Sequence, residues 1–398
     1  MPGTELFGAE ERQQVQEVME TGALFRYGHE DLRRGRWKAR EFERAVAGYT
    51  GAAHAHAVSS GSAAVSCALA AAGLGQGDEI IVPPFTFIAT IEAVLMAGGL
   101  PVFAELDETL CLSAEGIRQA VTPDTRAVLL VHMCGAAADM DGIMEVCREH
   151  NLILVEDAGQ ALGAFHGGTS VGRFGVAGAF SFDYFKIATC GEGGVLITDS
   201  AEAHGTAAAF SDHGHTHQGA DRGMEPHDVL GFNFRISELH AAVGLAQMGK
   251  VPDIRRRNRE HKASLRNRLR DIPGVSCRTL PDPEGDSGTF LNFFMPDAAA
   301  ARATVASLTQ DGVGAAYWYE NRYHFINQWD HLKALRAPGA LAANRLPLPQ
   351  DYHDLELPRS QDIMSRLVSV GIRCTWTEAE VARTGEALEA AVGAVLRQ

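Results

Sequence analysis

The sequence predicts an α/β protein: a mostly parallel sheet covered by helices over residues 1–249, followed by a smaller α+β lobe over 250–398. Three features predict it. Short apolar runs at 79–82, 101–106, 127–132 and 152–155 are separated by stretches of helical composition. Runs that are apolar on both sides suit parallel strands buried between two helix layers. Two further β-like runs, 179–182 and 195–198, bracket a glycine-rich loop. The composition then shifts at Lys250, where VPDIRRRNREHKASLRNRLR reads as one long basic helix. After it, strands at 275–279, 289–294 and 315–319 and a helix at 298–309 make the second lobe. No GxGxxG occurs, so a dinucleotide fold is not indicated.

Composition narrows the function. A chain of 398 residues with 46% hydrophobic content can bury a large core. A net charge of −15 argues against nucleic-acid and anionic-membrane partners, which need a basic stripe. It leaves room for a basic pocket that takes a small anion. Seven cysteines at irregular spacing do not form a disulfide framework. Residues 1–20 are polar and acidic, unlike a signal peptide, and no apolar run reaches membrane-spanning length. A soluble cytoplasmic protein is the expectation.

The elements follow in order. Residues 9–20 have helical composition, with Val15, Val18 and Met19 on one side. A basic patch, Arg33, Arg34, Arg36, Lys38 and Arg40, comes next, and such runs are usually solvated. The strand 54–58 runs into Ser59, Ser60, Gly61 and Ser62 and a helix of small residues. A strand, a glycine turn and a helix N-terminus together offer free N–H groups to an anion. The same serines also fit an ordinary helix cap. Helices are expected from FTFIAT onward and at 113–121 and 140–150.

The chemistry concentrates between 151 and 198. A strand ends on Glu156 and Asp157, a second delivers Ser181, and Lys186 follows in a loop before Gly191, Gly193 and Gly194. An acid, a hydroxyl and a lysine at strand ends are the parts of a pyridoxal phosphate (PLP) site. Lys186 would form the Schiff base, Asp157 would keep the pyridine nitrogen protonated, and Ser181 would donate to the phosphate. Each residue alone has a plainer reading as a loop lysine or a strand-end acid.

EDAGQALGA followed by SFDYFKIATCGEGG resembles the signature of the DegT/StrS sugar aminotransferases, and the resemblance runs over essentially the whole chain. It implies PLP fold type I with a seven-stranded sheet, and a homodimer with shared active sites. It also implies Gly61, Ser62 and Ala63 as the phosphate turn, Phe87 over the ring and Gln160 beside its phenolic oxygen. In GFNFRISEL, Ser237 would cap the next helix, and Asn233 would reach the partner's phosphate. Substrate contacts are expected from Arg26 or a following arginine, His213, Trp318, Tyr319 and His324. MPGTELFG, VPPFTFIAT, FSDHGHTH and YWYENRYHF are most similar to a branch that aminates the C8 aldehyde of an oxidised 3-deoxy-octulosonic acid. Glutamate or glutamine would be the donor. Relatives acting on cyclitols or keto-aminosugars share the same core. Members that are 3-dehydratases carry histidine in place of the lysine, so Lys186 speaks against that activity. The rival from another class is a zinc enzyme using His213, His215 and His217, although this alternating spacing fits no common structural zinc arrangement.

Overall fold

The computed structural model describes residues 3–218 and 222–397. Met1 and Pro2 of the MPGTELFG motif, and the outermost residues of both expected domains, lie outside the described residues.

The main sheet is built from β1 (His54–Val58), β2 (Glu79–Val82), β3 (Leu100–Phe103), β4 (Thr125–Val131) and β5 (Ile153–Asp157). A small hairpin, β6 (Phe165–His166) and β7 (Thr169–Ser170), leads on to β8 (Ala177–Ser181) and β9 (Gly194–Thr198). The seven-stranded order is β1-β9-β8-β5-β4-β2-β3. The pairs from β3 through β8 are parallel, and β9 runs antiparallel to both its neighbours. Val128, Leu129, Leu130 and Val155 are fully buried, as strands covered on both faces require.

Helices are started by short polar side chains. Ser60, Ser113, Asp139, Ser200 and Ser237 each accept a hydrogen bond from the N–H three residues on. The helix Gly61–Ala71 is made almost wholly of small residues, which lets it lie close against β8 and β9.

The basic helix spans Val251–Leu269. Beyond it an antiparallel sheet has the order β10 (Ser276–Cys277), β11 (Phe290–Phe294), β13 (Leu367–Gly371), β12 (Ala315–Ala316). The strand expected over 315–319 stops after two residues. A 3-10 turn, Trp318–Glu320, replaces it and buries Trp318. Trp318, Phe325, Trp329, Tyr352 and Met364 pack into the core of the main sheet rather than under the smaller one. None of the helices among the described residues is long and apolar enough to cross a membrane.

Candidate active site

Two adjoining cavities, of about 150 and 230 Å3, lie at the C-terminal ends of the parallel strands, where open α/β sheets place their ligands. They share Phe87, Gly159, Gln160, Ser181, Asp183 and Lys186. Asp157 closes β5. Its Oδ2 accepts from Thr90 Oγ1 at 2.7 Å and its Oδ1 from the Gly159 N–H at 2.9 Å. Thr86 Oγ1 lies 2.7 Å from Thr90 Oγ1, so the carboxylate is braced from the start of the helix Ala89–Ala97.

Ser181 closes β8 and faces the N-terminus of the helix Gly61–Ala71. A Cβ at position 61 would come within 2.7 Å of the Ser181 Cβ and 2.8 Å of its Oγ. Only glycine lets this turn approach so closely. Lys186 sits in the turn that follows, its N–H bonded to the Asp183 carbonyl at 3.1 Å. Gln160 Oε1 accepts from the Cys134 N–H at 3.4 Å, which leaves its amide N–H groups for the cavity.

Phe87, Trp318 and His324 roof the site. The His324 ring stands 4.6 Å from Trp318 and 5.5 Å from Phe87. Burial, helped by the charge of Lys186, pushes the His324 imidazole down to about 4, so it is neutral at pH 7. Its Nδ1 donates to Asn321 Oδ1 at 2.8 Å, leaving Nε2 as an acceptor. The Trp318 indole nitrogen is buried with no hydrogen-bond partner among the described residues.

Four sequence expectations are placed differently. The Ala63 N–H, expected at a phosphate, is taken by Ser60 Oγ at 3.1 Å, and of this turn Ser60, Gly61 and Ser62 line the cavity. Arg26 is only 4% exposed; it donates to the Ala57 carbonyl and to Glu43 at 2.6 Å, well inside the fold. Arg33 and Arg36 are likewise committed, to Glu238 at 3.4 Å and Glu20 at 3.1 Å. Tyr319 turns its hydroxyl to Gln361 Oε1 at 3.0 Å and lines neither cavity. His213 is exposed and lines neither cavity. Asn233, expected at a partner's phosphate and so not among these four, is exposed and outside both cavities of its own chain.

The histidine cluster is spoken for. The His217 ring stacks on Tyr27 at 4.2 Å, and His215 stands 4.3 Å from His227 and 3.3 Å from Glu225. Among the described residues no group of three or more His, Cys, Asp or Glu side chains is arranged to hold a metal.

Sequence reasoning missed Thr86, Thr90, Asp183 and Glu192, all of which line the smaller cavity. The i, i+4 spacing of the two threonines in FTFIAT was the available signal, since on a helical turn it stacks two hydroxyls.

The residues present fit PLP. A glycine-floored helix N-terminus with a strand-end serine suits a phosphate. A doubly hydrogen-bonded aspartate and a lysine stand on the same cavity. Fold and pocket together define the class, a protein of PLP fold type I. The chain belongs to the DegT/DnrJ/EryC1/StrS aminotransferase family, whose model matches residues 6–389. It is 35% identical over 316 residues to a UDP-N-acetyl-3-dehydro-alpha-D-glucosamine 3-aminotransferase of Acidithiobacillus ferrooxidans, covering 78% of this chain and 83% of that one. An L-glutamine:2-deoxy-scyllo-inosose aminotransferase of Streptomyces kanamyceticus is 37% identical over 287 residues, 64% of this chain and 67% of that one. Among solved structures, an aminotransferase from Psychrobacter cryohalolentis superposes with a TM-score of 0.83 at 26% identity, covering 98% of each chain.

Proposed function

We propose that the protein moves an amino group from glutamate or glutamine to a carbonyl carbon of a sugar, using PLP held in this pocket. One observation carries the reading: Lys186, Asp157, Ser181 and the N-terminus of the helix Gly61–Ala71 meet on a single cavity. Gly61, Ser62 and Ser181 would hold the phosphate, Phe87 would cover the ring, and Gln160 would donate to its oxygen. When bound, PLP supplies the electron sink that makes a carbon–hydrogen bond beside nitrogen acidic. The chain's own work is then positioning and proton handling. Lys186 Nζ would hold the cofactor and, once released, take and return the proton. Asp157, fixed by Thr90 and Gly159, would face the ring nitrogen as an anion. His324 Nε2 would offer an acceptor to sugar hydroxyls.

The acceptor we infer is the C8 aldehyde of an oxidised 3-deoxy-octulosonic acid, supported by the branch motifs. Among the described residues no arginine lines either cavity, so its carboxylate would lean on neutral donors or on a second copy of the chain. Asn233, exposed on the loop before the helix Glu238–Met248, would contribute to that second copy. A cyclitol is the second acceptor to assay, given the inosose-using relative.

Borohydride treatment with PLP should fix the cofactor on Lys186 of the wild-type chain and leave Lys186→Ala unlabelled. Amine transfer from labelled glutamate and glutamine is then read across a panel of oxidised octulosonates, keto-sugars and inososes. Labelling at another lysine, or none, overturns the cofactor reading. Transfer only to inososes overturns the octulosonate.

A further inference from the structure

The loop that carries Lys186 has a front, where Lys186 and Ile187 face the cavities, and a back. Residues from the start of the chain cover that back. The Gly3 N–H donates to the carbonyl of Lys186 itself at 2.8 Å. Gly3 is buried and admits no side chain: a Cβ there would overlap Gln247 Oε1 and come within 2.9 Å of the Ile187 carbonyl.

Gln247, fully buried, continues the contact. Its Oε1 accepts from the Thr189 N–H at 3.4 Å and its Nε2 donates to Glu11 Oε1 at 2.7 Å. Glu11 is fully buried too, and accepts from Lys250 Nζ at 2.6 Å and the Gly8 N–H at 2.7 Å. Burial works to raise its carboxyl, but Lys250, Gly8 and Gln247 outweigh burial and hold it below the ordinary carboxylate range. Lys250 Nζ also donates to the Leu6 carbonyl at 2.6 Å. At the far edge, Glu5 pairs with Arg373 at 2.9 Å and accepts from Thr375 Oγ1 at 2.7 Å.

We propose that residues 3–11 form a strap that sets the position of the Lys186 amine, with Gly3 and Gln247 as positioning residues and Glu5 as the outer anchor to the C-terminal lobe. The proposal rests on the reading of Lys186 as the cofactor lysine. A lysine side chain is long and freely rotating, so the reach of its amine is decided by where its backbone is held. A misplacement of about 1 Å can cost roughly a hundredfold in rate. The strap grips that backbone at residues 186 and 189, directly and through Gln247.

The test uses the full chain loaded with PLP and compares wild type, Gly3→Val and Glu5→Ala. Gly3→Val should speed amide exchange about tenfold in the peptide 183–190 while β4 keeps its protection, as expected for loss of a local brace. Release of PLP on dilution should rise about tenfold, and kcat should fall while the acceptor KM stays within about twofold. Glu5→Ala, which leaves the Gly3 contact intact, should move the same readouts less. Unchanged exchange at 183–190 with unchanged release overturns the strap, as does acceleration shared equally by β4. If the wild-type chain traps no PLP on Lys186, the functional reading fails instead, and the exchange data still report on the brace.

Discussion

Glu156 and Asp157 are neighbours in β5, and successive side chains of a strand leave on opposite faces. Glu156 is fully buried and accepts from His132 Nε2 at 2.9 Å and from the N–H groups of Gly172, Phe174 and Gly175 at 2.7–2.8 Å. His132 Nδ1 meanwhile accepts from the Ala138 N–H at 3.2 Å, so Nε2 carries the proton. Asp157 is only partly buried and has two donors. The same functional group becomes a clamp on one face and a cavity ligand on the other. What separates them is how many lone pairs the fold leaves open.

Three substitutions test that contrast, and a fourth tests the neutral histidine above it. Asp157→Asn should lower kcat roughly a hundred- to ten-thousandfold with little change in melting, read by steady-state kinetics beside a thermal scan. Glu156→Gln should do the reverse. An amide puts donors against donors, and about 3 kcal/mol of stability should be lost in a denaturant titration while the folded fraction keeps most of its turnover. Equal effects of the two on kcat would erase the distinction. Thr90→Val, which removes one brace from Asp157, should cost about tenfold in kcat and leave the acceptor KM unchanged. The smallest effect is expected at His324. Its folded value is depressed to about 4, so between its ordinary value and that one the unfolded chain binds the proton and the folded chain does not. Stability from this residue is therefore lost as pH falls through that window. His324→Phe should flatten the slope of stability against pH there, measured by denaturant titrations at successive pH values.

The sheet was legible because buried parallel strands write themselves as apolar runs, and the acid, serine and lysine were legible because they fall where those runs end. Helix starts were legible too: Ser237 caps as expected, accepting from the His240 N–H at 3.2 Å. Two misplacements share a cause. Arg26 finds Glu43 and Tyr319 finds Gln361 across 17 and 42 residues of chain, and pairing through space leaves no periodic trace. The contact of Gly3 with Lys186, for which the sequence offered no reading, is hidden for the same reason. Ala63 failed differently: Ser60 could cap the helix or leave the third N–H for a ligand, and geometry chose the cap.

Three backbone hydrogen bonds sew the two walls of the roof together. The N–H of Thr86 reaches the His324 carbonyl at 3.0 Å, that of Ile88 the Tyr323 carbonyl at 2.9 Å, and that of Ile326 the Pro84 carbonyl at 3.0 Å. Phe87 and His324 are thus two teeth of one jaw, and they travel together. A ligand that pushed either ring aside would have to break that backbone ladder, whereas the exposed rings of Tyr184 and Phe185, on the turn before Lys186, carry no such bond to the roof.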